Sequence, residues 1–236
     1  MEQNKENLAK NGEEMQNEPA QQTAEGATEL VFILDASGSM SGMEKDTIGG
    51  FNAMIEKQKL QSGKVFVSTV LFANFSKVLH DRKSLEEIQP LTEEDYQVGG
   101  CTALLDAIGG AIKHIENIHK YARKEDVPTK TLFIITTDGM ENASNQYTHP
   151  EIKKMIQRKE SEGWEFLFVA ANIDAQEAAE RIGLPNTCAA SYCVEEDTGV
   201  MFSEMSETIC KFRSTGAIRK DWADKIQKNS QSKKKK

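Results

Sequence analysis

Cysteine is scarce in this chain. Its four residues, Cys101, Cys188, Cys193 and Cys210, form no CxxC pair and no knuckle spacing. A reduced, cytoplasmic setting fits that pattern better than a disulfide framework or a structural zinc site. Long apolar runs are also missing: no stretch approaches the roughly 18 residues that a membrane span requires. Residues 1–29 contain no apolar segment of the secretory kind, so no signal peptide is expected there. The sequence has no GxGxxG loop, no Walker lysine and no evident nucleophile–base pair, so no catalytic residue is assigned.

Positive charge is missing from the body and collected at one end. The formal charge is −8; residues 1–29 carry two Lys against seven Glu, and residues 211–236 carry ten Lys or Arg against two Asp, which leaves the segment between them at −11. An acidic body argues against nucleic acid as the main partner and favours a divalent cation or a basic surface.

What is present suits one large domain with tails. The chain has 236 residues and is 38% hydrophobic, enough to build a core. Residues 1–27 are too polar to bury anything and read as a disordered leader. Residues 218–236 run into four consecutive lysines and read as a solvated basic tail in preference to a patch for nucleic acid or an anionic surface. The body is then 28–217.

Within it, strand-length apolar runs at 30–34, 65–72, 132–136 and 166–171 alternate with amphipathic segments of helix length. The runs are nearly continuous, as expected of strands covered on both faces. A weaker strand is expected near 189–194, and an antiparallel edge strand at 76–79. Helices are expected around Ile48, Phe51 and Ile55, along the stripe from Leu105 to His119, from Pro150, over 176–182 up to Gly183, and over 200–212. The implied fold is α/β: a doubly wound, mostly parallel sheet with one antiparallel edge strand and helices on both faces.

Three of the connecting loops carry the chemistry. Asp35-Ala36-Ser37-Gly38-Ser39 leaves the first strand, Gly99-Gly100-Cys101-Thr102 opens a helix, and Asp138-Gly139 leaves another apolar strand. Ligands of open α/β sheets bind at the carboxyl ends of strands, so these loops deliver Asp35, Ser37, Ser39, Thr102 and Asp138 to one edge. All five are hard oxygen donors with no His or Cys among them, a set suited to Mg²⁺ or Mn²⁺. Asp35 taken alone reads equally well as a turn or cap residue. Asp106 reads as an exposed or capping carboxylate, Cys101 as a small residue packed beneath its loop, and the four histidines as surface or stripe residues.

The DxSxS segment, the separated Thr102 after a glycine pair, and the Asp138-Gly139 ending resemble the metal-ion-dependent adhesion site of von Willebrand factor A domains, over about residues 28–215. Asn172-Ile173-Asp174-Ala175 resembles a feature of bacterial members. The resemblance implies a Rossmann-like fold. It also implies an ion held directly by Ser37, Ser39 and Thr102 and largely through water by Asp35 and Asp138, and a partner that presents an Asp or Glu. Intracellular relatives often act with AAA+ ATPases or in stress-response complexes. The expected function is a metal-dependent protein-interaction module. The alternative is a metal-dependent hydrolase or phosphotransferase using the same strand-end residues. Ser37, where such enzymes would place a second Asp, and the lack of a following Lys argue against it.

Overall fold

A computed structural model describes residues 26–171, 174–192 and 194–227. Short 3-10 turns aside, eleven strands and α-helices follow one another among these residues: β1 (Thr28–Asp35), α1 (Glu44–Lys59), β2 (Val65–Phe72), β3 (Ser76–Ser84), α2 (Leu104–Tyr121), β4 (Lys130–Thr137), α3 (His149–Ser161), β5 (Trp164–Ala171), α4 (Ala175–Arg181), β6 (Ala189–Tyr192) and α5 (Val194–Thr215). The strands form a six-stranded sheet in the order β3-β2-β1-β4-β5-β6. Every neighbouring pair is parallel except β2 and β3, which are antiparallel.

Period-2 side-chain alternation divides the core in two. Leu30, Phe32 and Leu34 of β1 face α1 and α5, where they meet Phe51, Met54, Met205 and Ile209. Val31 and Ile33 face the opposite way, toward Ile108 and Ile112 of α2 and Ile152 and Ile156 of α3. Both faces are covered, which explains why β1, β4 and β5 read as unbroken apolar runs. α3 starts where its sequence demands: Thr148 and Glu151 form a reciprocal capping box ahead of Pro150. α4 is capped by Asp174, which accepts from the N–H groups of Gln176 and Glu177.

The structure corrects three expectations. The edge strand runs to Ser84, not residue 79, because its polar residues lie on an exposed edge and carry no hydrophobic signal. The last helix begins at Val194, not residue 200, and ends at Thr215. The basic tail expected from residue 218 does not begin there: Trp222, Ala223 and Ile226 are buried in the core on the α5 side. The Trp222 indole N–H also donates to the Thr187 carbonyl at 2.7 Å. Residues 1–25 and 228–236 of the expected tails, and Asn172-Ile173, lie outside the described residues.

At the amino end of β1, Glu29 is fully buried. Its Oε2 accepts from Arg82 Nε at 2.7 Å and lies 3.2 Å from His119 Nε2.

Candidate metal centre

The strand order reverses around β1, since the chain moves outward from it to β2 and β3 and then returns to pair β4 on its other side. The carboxyl ends of β1 and β4 therefore bound the crevice in which doubly wound sheets bind ligands. Asp35 is the last residue of β1, and Asp138 directly follows β4.

All five candidate residues come together there. Ser37 Oγ lies 3.0 Å from Ser39 Oγ, and Ser39 Oγ donates to Asp138 Oδ1 at 2.5 Å. Asp35 accepts from the Ser37 N–H at 2.7 Å and from Thr137 Oγ1 at 2.6 Å. Thr102 joins them across Gly139. A Cβ built on Gly139 would sit 3.1 Å from Ser39 Oγ and 3.2 Å from Thr102 Oγ1, so the two hydroxyls flank one small space. Asp35, Ser37, Thr102 and Asp138 are buried, whereas Ser39 is exposed, which sets the open side of the site.

Burial raises the pKa of both carboxyls above the ordinary value. Hydrogen bonds from Ser37 and Thr137 oppose this at Asp35. At Asp138 the hydrogen bond from Ser39 opposes it, while the charge of Asp35 adds to it. Among the described residues no Lys, Arg or His forms an ion pair with either carboxylate. Two adjoining, partly desolvated acids surrounded by hydroxyls are the donor chemistry of a hard divalent cation. Among the described residues no three His, Cys, Asp or Glu side chains gather in a metal-type cluster; an ion here depends on the hydroxyls.

Several further residues hold this arrangement. The Asn142 Oδ1 accepts the Thr102 N–H at 2.8 Å, and the Asn142 N–H donates back to the Thr102 carbonyl at 3.1 Å. Glu141 accepts from the N–H groups of Leu105, Ala143 and Ser144. Asp106, expected to be exposed or to cap its helix, instead accepts from the N–H groups of Asn145, Gln146 and Tyr147 at 3.0 Å each. The loop after β4 is thus fastened to the first turn of α2. On the other side, Asn74 Oδ1 accepts the Cys101 N–H at 2.5 Å. Gly100, at φ +79°, is required there, since a Cβ would lie 2.1 Å from that same oxygen. The Gly38 N–H donates to the Gly100 carbonyl at 3.0 Å, joining the first and second loops.

Beneath the site, the buried Tyr96 hydroxyl donates to the Asp35 carbonyl. Burial raises the pKa of Tyr96 and of neighbouring Tyr192, so both phenols stay protonated. Cys101 is exposed and does not pack beneath the loop. His80, expected at the surface or on a stripe, is buried against Thr69 Oγ1 at 3.1 Å.

Comparisons with known proteins agree with this architecture. A family model described as VWA domain containing CoxE-like protein matches residues 5–178, and the chain belongs to that family of von Willebrand A domains. No curated protein matches the chain in sequence. Among solved structures, the von Willebrand domain of the type V pili tip protein Mfa5 from Porphyromonas gingivalis superposes with a TM-score of 0.59 at 11% identity, covering 82% of this chain and 98% of that one. Manganese-loaded TRAP protein of Plasmodium vivax gives 0.53 at 16% identity, covering 75% and 72%. Proximal thread matrix protein 1 from the mussel byssus, with its adhesion-site motif occupied by zinc, gives 0.50 at 15% identity. This match covers 78% of the present chain and 46% of the mussel protein, so the chain spans less than half of that relative's length. These likenesses establish the fold. No helix among the described residues is long and apolar enough to cross a membrane.

Proposed function

We propose that this domain, residues 28–217 together with the packed segment to 227, is a metal-dependent protein-interaction module. In this reading Ser37, Ser39 and Thr102 hold a Mg²⁺ or Mn²⁺ ion through their hydroxyls, and Asp35 and Asp138 hold it largely through water. The observation that carries the reading is the convergence of two buried carboxylates and three hydroxyls at the carboxyl ends of β1 and β4. The manganese and zinc bound by the two structural neighbours support a divalent ion. When bound, the ion would offer a coordination position to an Asp or Glu of a partner.

The chain's own residues do the remaining work. Ser39, the exposed member, sets the side from which a partner approaches. Asn142 and Gly100 keep Thr102 in place, and Tyr96 fixes the backbone of Asp35. The hydroxyls are neutral and the carboxylates few, so the site favours an added anion over a neutral or basic group. In this reading the partner is a protein such as an AAA+ ATPase or a stress-response complex, and the setting is cytoplasmic.

Calorimetry with Mg²⁺, Mn²⁺ and Zn²⁺ tests the ion: saturable Mg²⁺ or Mn²⁺ binding that is lost in Asp138→Ala and Ser37→Ala is expected. Tight zinc binding with no response to the other two would overturn the assignment. Magnesium-dependent turnover of a phosphate ester that vanishes in Asp35→Ala would instead establish the hydrolase alternative.

A further inference from the structure

The candidate site does not end at its oxygen donors. Asn74, whose side chain holds the Cys101 N–H, is also the head of a groove between α2 and the β2–β3 hairpin, with a volume of about 420 Å³. Val70 and Ala107 form part of its floor, and Ala111 and Gly110 line its α2 side. A Cβ on Gly110 would meet nothing within 4 Å, so the helix leaves room there. The outer wall consists of Phe75 and Val78, which are 84% and 55% exposed. Phe75 and Val78 thus extend the apolar lining of Val70, Ala107 and Ala111 out to solvent, and a contiguous open apolar patch of this kind marks a contact surface. On the other flank of the site, Met140 lines a recess of only about 90 Å³. The larger volume and the exposed aromatic ring favour the α2 side.

The groove's charges narrow what fits it. Asp106 spends its carboxylate on three backbone N–H groups, and at the rim Asp81 lies 2.7 Å from His114 Nε2. The surrounding body is acidic, at −11. A second acidic residue would therefore be repelled in the groove, whereas an uncharged apolar stretch is not.

We propose that the partner segment which supplies the carboxylate continues into this groove, so that recognition requires an Asp or Glu followed on one side by apolar residues. Phe75 and Val78 then act as the anchors of that apolar stretch, and the acidic residue sets its register. This rests on the reading of the site as a metal-dependent interaction module, and it goes further by fixing the sequence chemistry of the partner.

The test uses the full chain and labelled synthetic peptides of one length. One set carries a single Asp flanked on one side by Leu, Phe and Val; a second carries the Asp among Ser and Gly; a third replaces Asp by Asn in the apolar sequence. Titrations are made in Mn²⁺ and in EDTA, with the unaltered protein and with Phe75→Ser, Val78→Ser and the groove-filling Gly110→Gln. The apolar-flanked Asp peptide should bind at least about tenfold more tightly than the Ser/Gly peptide, and each substitution should remove most of that advantage. Mn²⁺ affinity should be unchanged in Phe75→Ser, since Phe75 lines the groove and is not one of the five oxygen donors. Equal binding of the two Asp peptides, indifference to Phe75→Ser, or no binding by any peptide overturns the groove proposal. Binding that survives EDTA and the Asp→Asn change instead overturns the metal-dependent reading beneath it.

Discussion

Ser39 and Asp138, 99 residues apart in the chain, share a 2.5 Å hydrogen bond in which the hydroxyl donates to the carboxylate. The bond joins the loop after β1 to the loop after β4 and partly offsets the burial of a carboxylate that lies near the charge of Asp35. Asp138→Asn should therefore weaken Mg²⁺ or Mn²⁺ binding by at least about tenfold, since even residues that only orient metal ligands are worth about 10–100-fold. In EDTA the same variant should melt no lower than the parent, because it removes one of two adjoining buried charges. Calorimetry and thermal melts in the two buffers check both halves.

Gly139 offers a steric test that alters no charge. In Gly139→Ala the new methyl would sit 3.1 Å from Ser39 Oγ and 3.2 Å from Thr102 Oγ1, closer than such contacts ordinarily permit. The hydroxyls must spread apart. Metal affinity should fall by about tenfold or more while the far-ultraviolet circular dichroism spectrum stays that of the parent, because no core residue moves.

Asp106 and Asn142 fasten the β4 loop to α2 from opposite ends. Asp106→Ala leaves the N–H groups of Asn145, Gln146 and Tyr147 without their acceptor. A loss of about 1–3 kcal/mol in urea unfolding is expected, together with faster amide exchange at those three positions. Asn142→Ala should instead be read chiefly in metal affinity, because its partner is Thr102.

Trp222 anchors the segment after α5. Its ring is buried against the core, and its N–H donates to Thr187. Trp222→Ala should cost about 3–5 kcal/mol, seen as a clear drop in unfolding midpoint. An unchanged midpoint would mean that the segment does not pack in solution.

Burial, and then the charge of Lys83, lower the His80 pKa below its ordinary value of 6.5. Above that value the ring is neutral in folded and unfolded chains alike, and its contribution to stability is complete. As pH falls through it, the unfolded chain takes up a proton that the folded chain refuses, and stability declines until the lower folded value is reached. Between about pH 7.5 and about pH 5.5, His80→Gln should lose less unfolding free energy than the parent protein.

The parallel strands were legible because burial on both faces writes an unbroken apolar run, as at Val65–Phe72, whose bounds agree with the sequence reading. The five candidate site positions were legible because each sits just beyond such a run or opens an amphipathic helix. The residues that hold them were not. Glu141, Asn142 and Asp106 act on backbone N–H groups of another segment, and a loop Asn or Glu with such a partner looks no different in sequence from a solvated one. Trp222 and Ile226 were hidden by the lysines around them, since composition averages over the few apolar positions that matter. The far half of β3 was hidden because Asp81 and Lys83 guard an edge instead of facing a core.

β1 carries a fully buried acid near each end, and the two are neutralised differently. Glu29 meets the Arg82 guanidinium and the His119 ring, partners built into the chain itself; Asp35 meets hydroxyl and amide donors and no cationic side chain among the described residues. One pole of the strand thus carries its cationic partner, Arg82, within the fold. In the proposed reading the other would take its counter-charge from a divalent ion of the surrounding solution. On that reading the two acids of this single strand form an internal comparison: a change of divalent ion should register at Asp35 and pass unnoticed at Glu29.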